Sequence, residues 1–499
     1  MKVAVQEIPP NSALNVPGPT PSKFLGTKIN SLKFSRDSIG YTRNLFQTYG
    51  QIVSLANGGG TNLYSSLSNC PDTVFVYGPE YVKQVTSQHD IYYKHPLSGR
   101  LYRRRHESER TEPLKHFAVG LFGVNSEQHL QERKLLMPAF HKKRIDSYRD
   151  DIVRITETVL SDLAPHQVHD IALVMKVLTL RVATKTLFGE DIGNNGLKVG
   201  KLLQKTLTLL GAPRTTIIPF DIPGLPFHTL LNQMAQLDIA MRTLIQQKRK
   251  NRENNTHDVL SMLIDARDEE SGLPLSEDEI LGHTHVIFGA GHETSANALT
   301  WTLFLLSQHP NVAADLLDEL QQELKGEPPS IQQLERLPLL ERVIQETMRI
   351  LPPVPWNGRV TSQATELGGY RLPMGTEVFV SICHTHHMPE LYPQPEVFKP
   401  QRWENMTKSI YEYNPFSAGP RVCIGSGFAK LEIKIVLAML LQRYRLQCIS
   451  DLTVDRKGVI VMSPAKGMPM HVFPQDRQFT AGLNGVRGNV RDMVQLPCN

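Results

Sequence analysis

A mostly α-helical fold with a small β subdomain is the expectation for this 499-residue sequence. Three observations carry it. From about residue 127 onward, apolar residues recur at helical spacing over long stretches. Ser276 and Glu279 form an S-x-x-E capping pattern ahead of a helical run that lasts to about Ser307, just before Pro310. Only short stretches, such as 73–77 and 377–382, alternate in the manner of strands.

Taken in order, the opening 20 residues are proline-rich and read as extended chain leading to the short strands. Residues 128–140 form a basic helix stopped near Pro138, 152–188 carry apolar runs at helical spacing, and 225–251 are amphipathic with a charged end. The loop at 217–225 is apolar and broken by prolines; it fits a packed helix connection, a lid or a membrane-touching patch. The helix opened by Ser276 spans roughly 45 Å at 1.5 Å per residue. Its middle, Ala290-Gly291-His292-Glu293-Thr294-Ser295, is locally inconsistent with helix. Glycine there costs about 1 kcal/mol relative to alanine, and threonine can bond back to the preceding turn. Local rules tend to break at functional sites. Pro310 opens the next helix, Pro352 and Pro353 end the one at 339–350, 427–444 is a last long helix, and 458–473 reads as a hairpin. The 34 prolines and 34 glycines are spread along the chain, so no linker divides it. One domain is expected over 1–474, followed by a polar tail at 475–499 expected to be disordered.

Composition narrows the function classes. Apolar residues make up 40% of the chain, enough for a large core. The five cysteines, at 70, 383, 423, 448 and 498, lack CxxC spacing, so neither a disulfide framework nor a zinc cluster is indicated and reduced thiols in the cytoplasm are expected. The N-terminus lacks the apolar stretch of a signal peptide and the ~20 apolar residues that cross a bilayer, so no membrane span is expected, although peripheral contact stays open. The net charge of +5 comes from scattered basic residues, which argues against nucleic acid and for an acidic protein partner.

The stretch Phe416-Ser-Ala-Gly419-Pro-Arg421-Val-Cys423-Ile-Gly425 has the clearest chemistry. Gly419 and Gly425 let backbone approach the sulfur and donate to it, and Phe416 can screen it from water. At every fixed position the stretch resembles the haem-binding signature of the cytochrome P450 family, F-x-x-G-x-R-x-C-x-G. The resemblance implies the cytochrome P450 fold over roughly residues 15–474, haem b with Cys423 as axial thiolate, Arg421 on a haem propionate, and activation of O2.

Four further motifs follow the same family in order. His129 and Arg133 match W-x-x-x-R with histidine in place of the usual tryptophan, and imply propionate contacts; a plain surface role for His129 is the alternative. Ala290 to Ser295 is similar to the oxygen-activation motif, which assigns Glu293 and Thr294 to proton relay and leaves room for O2 at Gly291. Glu346 and Arg349 match E-x-x-R, and Arg402, in Phe398-Lys-Pro400-Gln-Arg402-Trp403, joins them in a structural network. Arg359 matches another propionate position. His384, His386 and His387 tempt toward a metal, but the stretch that follows resembles a structural meander.

The resemblance also places substrate-contact segments at Phe288, Val354, Trp356 and Ile460. All four are apolar, which favours a small apolar substrate, a fatty acid or a terpenoid, as in soluble bacterial members. No flavin or reductase module follows Asn499, so NAD(P)H-derived electrons are expected from a separate acidic donor such as ferredoxin or flavodoxin with its reductase. Lys142, Lys143, Arg144, Lys430 and Lys434 are candidates to dock it, a solvated basic face being the alternative. Arg103, Arg104 and Arg105 read as a solvated loop ahead of a carboxylate site. A monomer is expected. Two rival functions are a haem-thiolate peroxygenase or isomerase, which needs no Glu293–Thr294 relay, and a haem-based sensor, which needs a signalling segment.

Overall fold

The computed structural model describes residues 15–497 apart from 68, 97–100, 102–107, 118, 190–193, 211, 213, 216, 217, 251–257, 268–271, 459 and 481–484, and apart from the side chains of 194–198. Arg103 to Arg105, Ile217 and Cys498 therefore lie outside the described residues.

Helices dominate, and their boundaries follow local chemistry. The main ones here are α1 (Ser38–Tyr49), α2 (Ser126–Leu136), α3 (Ile171–Phe188), α4 (Asn194–Leu210), α5 (Pro226–Lys250), α6 (Glu277–Gln308), α7 (Pro338–Ile350), α8 (Ile382–His386) and α9 (Ser426–Arg443). The capping box at the start of α6 is formed in full: Ser276 Oγ accepts from Glu279 N at 3.2 Å and Ser276 N donates to Glu279 Oε2 at 2.8 Å. Residue Pro310 then opens a new helix at its first position, so the chain turns without losing an internal hydrogen bond. The apolar run expected over 152–188 is divided. A helix at Arg149–Ser161 gives way to a strand at Gln167–Asp170, and Asp170 caps α3 by accepting from Ala172 N and Leu173 N.

Five strands, β1 (Ile52–Ser54), β2 (Thr73–Val76), β3 (Tyr92–Tyr93), β4 (Trp356–Thr361) and β5 (Glu377–Ser381), make the larger sheet in the order β1-β2-β5-β4-β3. Its β2–β5 pairing is parallel, with Val76 opposite Val380; the others are antiparallel. The expected hairpin at 458–473 is instead shared between two sheets. Arg456–Lys457 pairs with Ser463–Pro464, whereas Pro469–Pro474 lies between Gln167–Asp170 and Tyr444–Cys448.

The largest core cluster joins α3, α6, α7 and α9, with Trp301, Phe304, Leu340 and Leu437 fully buried. A second gathers α4, α5 and the first half of α6. The disordered tail expected from 475 is a misreading over 486–496. Val486, Val490, Met493, Val494 and Leu496 are at most 2% exposed and belong to the main core. Polar residues around them diluted an apolar pattern at near-helical spacing. Arg456 also fastens this segment, pairing with Asp492 at 3.3 Å and with Asp37 at 2.7 Å. No helix among the described residues is long and apolar enough to cross a membrane.

Candidate active site

The loop before α9 turns back on itself to present Cys423. Cys423 N donates to Phe416 O at 2.9 Å, and Gly419 adopts φ +68°. A Cβ at Gly419 would sit 2.3 Å from Thr86 O, so only glycine fits. Gly425 is different: a Cβ there meets Phe140 at an ordinary 3.8 Å, and its contribution is an N–H bonded to the Cys423 sulfur. The Cys423 side chain is open to solvent on one side. Protein crowds the other sides closely enough that burial raises the thiol, opposed by Gly425 N–H and by the charges of Arg133 and Lys94.

Cations collect around this thiol. Arg421 donates to Leu121 O at 3.2 Å, Val124 O at 2.5 Å and Asn125 Oδ1 at 2.7 Å, but its buried Nε has no partner. Arg359 is buried on β4 and makes one hydrogen bond, to Gly358 O at 2.8 Å. His129 is buried with Nδ1 unpartnered, and burial together with Arg421 and Arg133 pulls its pKa down to about 3. Burial, then Arg359, pulls Arg421 down to about 9. Lys94, which no motif pointed to, follows β3; burial and then Arg359 and Arg421 pull its ammonium down to about 7. None of the five ion-pairs with a carboxylate among the described residues. A buried cation as short of partners as Arg359 is costly unless an anion joins it, and Lys94, Arg133 and Arg421, each partly buried, add to the same unbalanced positive charge. A planar group carrying two carboxylates and a thiolate-seeking metal fits this donor set.

Helix α6 supplies the other candidates. Thr294 Oγ1 donates to Ala290 O at 2.8 Å, and Glu293 Oε1 lies 3.8 Å from Lys176 Nζ of α3. Thr179 Oγ1 of α3 donates to His292 O at 2.9 Å, tying the two helices at this level. A Cβ at Gly291 would meet nothing within 4 Å. Val286, Ile287 and Ala290 stay partly exposed, and Ile287 borders the same apolar cluster as Ile424, the neighbour of Cys423. Glu432 of α9 is a second group that motif reading missed. It is fully buried, and burial raises its carboxyl to about 8 against a contact with Ser295, the neighbour of Thr294. A lone acid inside the apolar run Leu431 to Val436 was the available signal.

The remaining residues separate by surroundings. Arg349 grips Glu346 with Nε and Nη2, each at 2.9 Å; Arg402 Nε, Lys399 N and Trp403 Nε1 add bonds at 2.9, 3.0 and 3.0 Å. Burial pushes the Glu346 carboxyl up, but these partners outweigh it and hold the group below its ordinary range. Two of the residues expected at substrate contacts are packed against other side chains. Phe288 is buried against Phe188, with ring centroids 5.6 Å apart; six residues before Thr294, it is turned about 120° from it around the helix. Trp356 is buried among Phe34, Phe75 and Phe379, because alternation along β4 turns it away from the side that carries Arg359. Val354 is partly buried and Ile460 exposed, in two segments joined by Met462 N donating to Pro353 O at 2.7 Å. His384, His386 and His387 bind different partners: Ser381 Oγ, Asn414 N, and the Cys383 and Met493 carbonyls.

Comparison with known families settles the class. The cytochrome P450 family model matches residues 16–469. This chain is a cytochrome P450. Among relatives, cyclooctatin synthase of Streptomyces melanosporofaciens is 30% identical over 74% of this chain and 81% of its own length. Cyclooctat-9-en-7-ol 5-monooxygenase of the same organism is 31% identical over 66% and 72%. Among solved cytochromes P450, a retinoic acid-bound cyanobacterial CYP120A1 superposes with TM-score 0.77 at 23% identity, over 93% of this chain and 100% of that one. The cytochrome P450DA heme domain gives 0.78 at 22%, over 94% and 99%, a likeness of fold alone. The chain is accordingly a haem-dependent monooxygenase.

Proposed function

We propose that this cytochrome P450 hydroxylates an apolar, terpenoid-like molecule, using electrons from a separate acidic protein. The observation that carries the substrate class is the stripe Val286, Ile287 and Ala290 on α6, partly exposed and apolar, leading to Thr294. A relative named for cyclooctat-9-en-7-ol agrees with it, that molecule being apolar with one hydroxyl. A fatty acid is the second reading. It would want a cation for its carboxylate, and this stripe has none.

Cys423 Sγ would bind the iron; Arg359, Arg421, His129 and Arg133 would hold the propionates, with Lys94 adding charge beside them. When bound, haem supplies the metal at which O2 is activated. The chain's part is to place substrate and protons. Gly291 keeps space open beside the helix. Thr294 Oγ, whose proton is committed to Ala290 O, offers its lone pairs to a proton arriving from outside. Glu293, at ion-pair distance from Lys176 and in reach of solvent, takes up that proton and delivers it by turning from Lys176 toward Thr294. Lys430 and Lys434, which share Glu341 at 3.7 and 2.6 Å, and Lys142, 3.3 Å from Glu335, can exchange those acids for carboxylates of the electron donor.

The test is an absorbance titration of the purified haem protein with terpenes, steroids and fatty acids. Terpenoids are expected to shift the Soret band and to give hydroxylated product with NADPH, ferredoxin and its reductase. A shift with fatty acids only would overturn the substrate reading, and product formed only with added peroxide would overturn the need for a donor.

A further inference from the structure

A second cleft, lined by none of the residues proposed to hold haem or substrate, lies where α1 crosses α8 and the turn after it. Its volume is about 280 Å³, the size of a one- or two-ring molecule, and the C-terminal segment closes one wall with Met493. Part of its lining is aromatic: the Phe46 ring lies 4.6 Å from Tyr77 and 4.9 Å from His384. Its polar groups are incompletely used. Arg43 lines the cleft without a hydrogen bond or ion pair among the described residues. His384 engages Ser381 Oγ at 2.7 Å through Nδ1 and the backbone of Ile39 besides, so its ring is held in place. Both nitrogens of His387 face carbonyl oxygens, Cys383 O at 2.8 Å and Met493 O at 3.0 Å, yet a neutral imidazole can donate to only one. A negative charge nearby would suit both Arg43 and His387. Glu390 and Glu396 also line the cleft, and both are exposed residues.

We propose that this cleft is a second small-molecule site, for an aromatic carboxylate whose anionic group pairs with Arg43 and whose ring packs on Tyr77, Met388 and the edge of Phe46. Free guanidinium matches a carboxylate in a bidentate fork, and aromatic walls favour a flat apolar body. The site is linked to the thiol side through one strand. Trp356 of β4 touches His384, ring centroids 5.8 Å apart, while Arg359, three residues on, belongs to the opposite face of that strand.

The experiment uses the full haem-loaded chain with 4-phenylimidazole on its iron, so that the primary pocket is filled. Fluorinated phenylacetate, phenylalanine and phenethylamine are then titrated and followed by fluorine NMR. Phenylacetate is expected to bind saturably; R43Q should weaken it about tenfold or more, and M388W, which fills the cleft and keeps Arg43, should abolish it. Thermal melts of both variants check folding. Binding of phenethylamine without phenylacetate would overturn the proposal by making the glutamates dominant. Phenylacetate affinity unchanged in both folded variants, or no saturable binding at all, would overturn it equally.

Discussion

Two groups of charges in this molecule are built in opposite ways. Around Glu346, every charge is answered: the carboxylate takes bonds from Arg349, Arg402, Trp403 and the Lys399 amide, and Arg349 Nη1 goes on to His386 O at 2.9 Å. Around Cys423, the buried Arg359 and the partly buried Lys94, Arg133 and Arg421 crowd one another and His129, with no carboxylate paired to them among the described residues. The first arrangement is complete and serves the fold. The second is incomplete by charge, and the proposed placing of the haem propionates rests on that deficit.

The contrast can be broken at several points. Cys423→Ser should have the largest effect, eliminating product and removing the absorbance band typical of a thiolate-ligated carbon monoxide complex. Glu346→Ala should cost about 3 to 5 kcal/mol, because two buried arginines lose their anion, and urea midpoints should show the loss with or without haem. Thr294→Ala should lower product formed per O2 consumed by roughly 10²-fold while leaving haem content unchanged, as expected of a proton-transfer group. Arg359→Gln should behave with opposite signs in two assays. It relieves repulsion with Arg421 and Lys94, so the haem-free protein should be unchanged or more stable, yet haem should leave the holoprotein faster. Equal destabilisation of both forms would erase the distinction between the two groups.

The smallest expected effect is a pH slope. Glu432 has its carboxyl raised to about 8, against an ordinary value of about 4.3. Between these values the folded state holds a proton that the unfolded state has lost. Stability therefore declines as pH rises through that window and levels off above about 8. Glu432→Gln should flatten the decline, measured as the difference in melting temperature between pH 5 and pH 8.

What could be read from the sequence depended on how local the signal was. The Ser276 capping box, the proline stops and the Phe416 to Gly425 loop are contiguous, so they were legible in full. Lys94 was not, because its role arises from tertiary crowding by Arg359 and Arg421 and leaves no trace at neighbouring positions. The packing of Phe288 and Trp356 against other side chains was not legible for one reason: helical phase and strand alternation turn them inward. The segment holding Met493 was misjudged because few apolar residues, if well spaced, suffice to dock a short stretch onto a core that already exists.

That docking sets a timetable. Asp37, at the start of α1, meets Arg456 across 419 residues of sequence, and Arg456 in turn meets Asp492. At a translation rate of about 5–20 residues per second, roughly 20 to 80 s separate the synthesis of α1 from that of its clamp. Throughout that interval Ile39, Leu45 and Phe46 wait for the surfaces that cover them. A nascent chain of this kind offers chaperones a sticky amphipathic segment early, and slow codons or a missing chaperone should penalise its yield more than its final stability.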